Sequence, residues 1–336
     1  MKKAFLLLCA LLLALGSALP LAGYRLARAV LGRRADVPPA PASSTSTVSE
    51  AAPAAFEGDA DVFLIEDLST GEVQQVPKQD YLIGAAAAEM PLTWPDDALK
   101  AQIVAAHSYA LYCRDHASAA NGSWLSADPA RRQGYLTDAV LHSYWGTDYE
   151  ANYARLSALA DAVLSDVLCY GGAAAGTSYF AISNGRTEAS ENVWGSALPY
   201  LIPVDSSTDL SADNYEVTLT LSAPQVQQLL SSGLGISADS AAPERWFGET
   251  TLTASGYAAS LPVCGQTVSG TALRRALGLR SACFTIRYQD GSFLITTKGY
   301  GHGVGLSQWG AKALAEQGWT YEAILAHYFP GTQLCR

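Results

Sequence analysis

The 336-residue sequence has no Cys-x-x-Cys pair, no internal repeat and no excess of basic charge. Its 21 Lys and Arg stand against 31 Asp and Glu, a net charge of −10. That balance argues against a surface for nucleic acid or anionic lipid. It is compatible with a polysaccharide ligand, held by hydrogen bonds and aromatic faces, and 7 Trp and 17 Tyr supply such faces. Of the cysteines, Cys9 lies in an N-terminal apolar run. Cys113, Cys169, Cys264, Cys283 and Cys335 are odd in number, cannot all pair within one chain, and read as mostly buried apolar residues. Histidine is scarce too. His107, Cys113 and His116 make the nearest approach to a metal-ligand spacing, and no fourth ligand is evident where structural zinc sites take four. No metal and no cofactor are expected.

What is present begins with a near-continuous apolar run over residues 4–24, preceded by Lys2 and Lys3. Its length is close to the ~20 residues of a membrane-spanning helix, beyond the ~7–15 of a signal peptide's apolar region. It is expected to be an uncleaved signal-anchor, with cleavage near Ala22 and Gly23 as the alternative. Lys2 and Lys3 before the run and Arg25, Arg28, Arg33 and Arg34 after it leave its orientation open on charge alone. Residues 25–57 are rich in Pro, Ala and Ser and poor in large apolar side chains, the composition of a disordered tether. A folded domain is expected over residues 58–336, with ample apolar content for a core.

Within that domain VFLIED reads as a strand, STGEV as a turn and VQQV as a second strand. Asp80 is a suitable N-cap for a helix over residues 81–89, which Pro91 ends. Pro95 opens a second helix, and Leu99, Ile103, Ala106, Ala110 and Cys113 form its apolar stripe to about His116. NGSWLSADPARRQGYLTDA reads as loop, residues 149–165 as helix, and VLCY, SYFAIS and EVTLTL as strands. FTIRY and SFLITTK make a hairpin across a Gly-containing turn. Helices follow over residues 306–316 and 320–328. The mixture without regular alternation predicts an α+β fold: a single large domain of mixed strands and helices behind an N-terminal membrane helix.

Two segments carry chemistry. Glu89 ends an alanine-rich helix and precedes Met90 and Pro91; a carboxyl in so apolar a setting resists ionisation and can hold a proton near neutral pH. On the residues alone Glu89 also reads as a solvent-facing residue at a helix end. Near the C-terminus, Gly299, Gly301, Gly303 and Gly305 surround His302, and a helical pattern follows. Bare backbone there permits a tight turn or the close approach of a ligand.

Three blocks of the sequence, taken together, resemble the stage II sporulation protein D family. They are DYLIGAAAAEMPLTWPDDALKAQIVAAHSYAL from Asp80, NGRTEASENVWGSALPYLIPV from Asn184, and the glycine-rich segment from Tyr300 to Leu334. The resemblance implies a membrane-anchored, extracytoplasmic lytic transglycosylase acting on peptidoglycan glycan strands stripped of stem peptides, during engulfment in sporulation. Glu89 would be the catalytic acid. No second carboxylate is needed if the sugar's own 6-hydroxyl attacks its anomeric carbon, leaving a 1,6-anhydro end. His107, His142, Ser183, Asn184, Gly185, Thr187, Glu188, Glu191, His302 and Gln308 would contact or orient the substrate, with Glu188 and Glu191 in the more structural part. Trp194 is open to two readings, a sugar-stacking ring or a core tryptophan. His107 replaces the family's arginine and His142 its glutamine, which suggests an altered cleft. Asn184 replaces a glycine and is expected to tolerate positive φ. Implied partners are a stage II sporulation protein P-like amidase or endopeptidase and a stage II sporulation protein M-like membrane scaffold; nucleic acid is not one. A wall-binding module or amidase activator with weak or no catalysis is the alternative.

Overall fold

The structure is a computed structural model that describes residue 56 and residues 58–128 and 131–336. The expected membrane anchor and nearly all of the tether lie outside the described residues. Among the described residues no helix is long and apolar enough to cross a membrane.

The fold is α+β, as the patterning predicts. Strands β1 (Val62–Asp67) and β2 (Glu72–Pro77) form a hairpin. Pro77 ends β2 and is also the N-cap of α1 (Lys78–Glu89), because φ −54° and ψ 142° suit both roles. The helix therefore starts ahead of the expected position. Asp80 falls in the first turn, where its charge favours the positive helix end. After the Pro91–Pro95 turn, α2 (Asp96–Asp115) runs through the centre, packed by α1 and by the later helices and strands of the same core. Its stripe is fully buried at Leu99, Ile103, Ala106 and Ala110 and half-buried at Cys113. Each large apolar side chain so buried contributes about 1.5–3 kcal/mol. The segment read as loop contains β3 (Leu125–Ala127), parallel to β1, and is followed by α3 (Asp138–Trp145), capped by Thr137. Short length and dense polar residues hid both. Helix α4 (Tyr149–Ala162), β4 (Val167–Tyr170), β5 (Ala173–Ala174), β6 (Tyr179–Phe180) and α5 (Ser190–Trp194) complete the first half.

A second core follows. It comprises β7 (Glu216–Ser222), α6 (Ala223–Leu234), β8 (Thr251–Leu252), β9 (Ala258–Val263), β10 (Gln266–Ser269), α7 (Gly270–Leu277), β11 (Phe284–Gln289) and β12 (Ser292–Lys298). Two three-stranded sheets, ordered β11-β12-β7 and β10-β9-β8, enclose Val226, Leu230, Leu261, Leu273, Phe293 and Ile295. β7 and β12 pair from Glu216↔Lys298 to Ser292↔Ser222, so the lobe closes on itself at its neck. The chain then returns to the first core with β13 (Leu306–Ser307), α8 (Gln308–Glu316), α9 (Tyr321–Tyr328) and β14 (Gln333–Cys335). β13 lies parallel to β6, and β14 antiparallel to β4. All five cysteines from Cys113 onward are free thiols; Cys169 and Cys335 are buried and the others half-buried.

Candidate active site

The C-terminus of α1 presents Glu89. The residues before it, Tyr81 to Ala87, are buried, and Met90 turns the chain out of the helix with φ −128° and ψ 140°. Glu89 itself is half-buried. Burial pushes its carboxyl pKa up, and a hydrogen bond from Gln308 Nε2 to Oε2 at 3.0 Å opposes that rise only in part. The negative end of α1 works in the same direction as burial. Gln308 opens α8, where Ser307 caps the helix by accepting from Gly310 N–H. The same Gln308 Nε2 donates to Gln102 Oε1 of α2 at 3.3 Å. Tyr81 and Tyr179 lie close enough for the Glu89 charge to raise their phenol pKa further, beyond the larger rise from burial.

A groove of about 550 Å³ lies against the residues that flank Glu89 in sequence, and Glu89 itself is not part of its lining. Ala87, Met90, Pro91, Leu92 and Thr93 form one wall, and Tyr144, Trp145, Asp148, Asn152 and Arg155 the other. Arg155 fixes the first wall by donating to the carbonyls of Leu92 and Trp94 and to Asp96. A half-exposed Trp194 stands on the far side of the sequence signature, its ring 5.1 Å from that of His302.

His302 is held at both nitrogens. Its Nδ1 accepts from Val304 N–H at 3.1 Å, so Nε2 carries the proton and donates to Tyr179 O at 3.0 Å. Burial, helped by the nearby Arg274 charge, pushes its pKa down to about 4. The ring is therefore neutral at physiological pH and packs against the rings of Phe180 and Trp194.

The central block is largely occupied by the protein. Ser183 N–H donates to Asp209 Oδ2 at 2.7 Å, and Ser183 Oγ accepts from Gly185 N–H. Thr187 Oγ1 exchanges bonds with Ile202 O and Val204 N–H. Asn184 Nδ2 donates to Ser255 O, and Tyr257 OH to Arg186 O, so this loop staples the two cores together. Positive φ belongs to Gly185, at 107°, and not to Asn184 as expected. Glu188 is buried and accepts from Ala189 N–H, Asn192 Nδ2 and Thr253 Oγ1, while Glu191 is exposed.

Two histidines lie elsewhere. His107 is fully buried, with Nδ1 3.1 Å from Asp166 O and Nε2 2.9 Å from Asp59 Oδ1. Burial pushes the Asp59 carboxyl up, but hydrogen bonds from His107 and Lys78 outweigh it and hold it well below the usual carboxylate range. His107 thus fastens the start of the domain to α2, and a buried ring so engaged has no surface for substrate. His142 is exposed on α3, stacked on Tyr149 with centroids 3.4 Å apart. It is Trp145, one turn on, that lines the groove.

Sequence reasoning missed Gln102 and Asp209. Gln102 interrupts an otherwise apolar face of α2, three residues after Leu99, and that interruption was its signal. Asp209 is buried where Ser183, Ser206 and Ser307 donate to one of its oxygens, so it ties the central block to the glycine-rich segment. Nothing in its surface-like neighbourhood in the sequence marks it.

The sequence is similar to known proteins. The Stage II sporulation protein family profile matches residues 66–170. Stage II sporulation protein D of Bacillus amyloliquefaciens is 36% identical over 269 residues, covering 79% of this chain and 76% of that protein. Its Bacillus subtilis counterpart is 36% identical over 265 residues, covering 78% and 75%. The amidase enhancer of Bacillus subtilis is 29% identical over 304 residues, 75% of this chain and 40% of its own length. The chain belongs to the stage II sporulation protein D family, a family of sporulation proteins.

Proposed function

We propose that this protein is a membrane-anchored lytic transglycosylase that cleaves denuded peptidoglycan glycan strands to 1,6-anhydro-muramic acid ends during engulfment. The observation that carries the reading is Glu89: a half-buried carboxyl with raised pKa at the end of α1, held by one amide of the glycine-rich segment's helix. In the first step its proton passes to the glycosidic oxygen as the C1–O bond breaks. In the second its carboxylate takes the proton of the sugar's 6-hydroxyl as that oxygen bonds to C1. Hydrolysis would need a second carboxylate on water. Glu188 is already engaged by three donors, and Glu191 faces solvent. The groove's Tyr144 and Trp145, and Trp194 beside His302, offer aromatic faces for sugar rings. Residues 4–24 would anchor the chain, with the domain outside the cytoplasm. An amidase or endopeptidase and a membrane scaffold would be its working partners.

The expected products on denuded glycan are 1,6-anhydro ends, which mass spectrometry separates from reducing ends by one water. Fully reducing products would mean hydrolysis and a different catalytic group. The similarity to the amidase enhancer favours a second reading, activation of a partner amidase. Stimulation of a purified amidase by a Glu89→Gln variant, without any glycan cleavage by the wild type, would select it.

A further inference from the structure

Gln102 is fully buried against the acid and has no part in the steps above. Its Oε1 accepts from Gln308 Nε2, but its Nε2 is buried without a hydrogen-bond partner. A buried amide donor left unpaired is costly and rare. Gln308 Nε2, by contrast, has two acceptors, Glu89 Oε2 at 3.0 Å and Gln102 Oε1 at 3.3 Å. That pattern fits an ionised Glu89. With the proton on Oε2, two donors would face each other.

Turning both amides by half a revolution fits the protonated acid. Gln308 Oε1 then accepts from the Glu89 hydroxyl and from Gln102 Nε2; Gln102 Oε1 takes the unpaired place, and an unpaired carbonyl is less costly there than an unpaired N–H. Amide oxygen and nitrogen occupy nearly the same positions, so no other atom has to move. We propose that Gln102 and Gln308 form an amide relay whose orientation follows the Glu89 proton, with Gln102 as a positioning residue that favours the protonated acid. The proposal rests on Glu89 as proton donor and explains how one carboxyl holds a proton in the first step and accepts one in the second. No proton crosses the amides; they only exchange donor for acceptor. The titratable groups that feel the acid's charge are Tyr81 from α1 and Tyr179 from β6, and next to these phenols stand Tyr109 and Cys113 from α2; all four are pushed above their ordinary values by burial and are neutral where Glu89 titrates.

The test is a pH titration of the full chain by nuclear magnetic resonance, with 15N in glutamine side chains and 13C in glutamate carboxyls. The Gln102 and Gln308 amide signals are expected to move with the same midpoint as the Glu89 carboxyl carbon, and to stop responding in Glu89→Gln. A Gln102 signal that stays constant while Glu89 titrates overturns the relay. In Gln102→Met the alkaline limb of the cleavage profile should move to lower pH by about half a unit or more, because the protonated form loses its support. An unmoved limb in a folded variant also overturns it; if that variant does not fold, the wild-type titration decides. Titration without transglycosylation would retain the relay and reject the reaction, whereas transglycosylation with a silent Gln102 would do the reverse.

Discussion

Glu89→Gln is expected to lower the rate of glycan cleavage by about 10²–10⁴-fold while the protein stays folded. The substitution keeps the volume of the side chain and leaves Gln308 a hydrogen-bonding partner, so the groove and the α1 terminus need not rearrange. What it removes is the transferable proton. The sign of the stability change separates this from damage to the fold. The folded pKa of Glu89 is raised above its ordinary 4.5, so the native state favours the protonated acid. The stability it contributes is present below that ordinary value and declines as pH rises toward the folded pKa. A neutral amide does not suffer this decline, so near pH 7 the variant should melt at or slightly above the wild-type temperature. Cleavage is measured as fragments released from denuded strands. A folded variant that releases them at the wild-type rate would exclude Glu89 as the acid.

Gly305→Ala should have the largest effect on the fold, about 3 kcal/mol or more. Gly305 has φ +83°, and a Cβ placed there would stand 2.1 Å from the carbonyl oxygen of Ser178. That oxygen is fixed, because it accepts from Leu306 N–H where β13 meets β6. Neither partner can retreat without breaking the parallel pair that carries Tyr179 on one side and Gln308 on the other. The loss is read from the midpoint of denaturant unfolding. An unchanged midpoint would show that this contact does not hold the two halves of the first core together.

Most of the first core could be read from local signals. Pro91, Pro95 and the stripe from Leu99 to Ala110 are strong punctuation and strong periodicity, and the helices stand where these place them. The helix expected over residues 320–328 is α9, which begins one residue later with Thr320 as its cap, and the α1 acid lies at the helix end the alanine run implies. What was hidden depends on distant partners. β6 and β13 are two residues long each and exist because they pair with one another. The second core lacked a single strong period across residues 236–283, where short strands alternate with turns. At the site, Glu89 and Gln308 were visible in family-like blocks. The engagement of both His107 nitrogens by Asp59 and Asp166, which takes that residue away from any ligand, needs three segments brought together.

The neck formed by β7 and β12 also bears on the order in which the chain acquires its shape. Ser178 and Val304 meet across 126 positions of sequence, a contact of high order that must wait for a long loop to close. The lobe between them has its own apolar interior and hairpin, and its first strand pairs with its last. Once folded, it turns most of that loop into a short circuit, which lowers the entropic cost of closure by about 1 kcal/mol. The second core therefore acts as an intramolecular splint, delivering the glycine-rich segment to β6. Pulsed hydrogen exchange during refolding should find β7 and β12 protected before β6 and β13; the opposite order would mean that the active-site core assembles without its help.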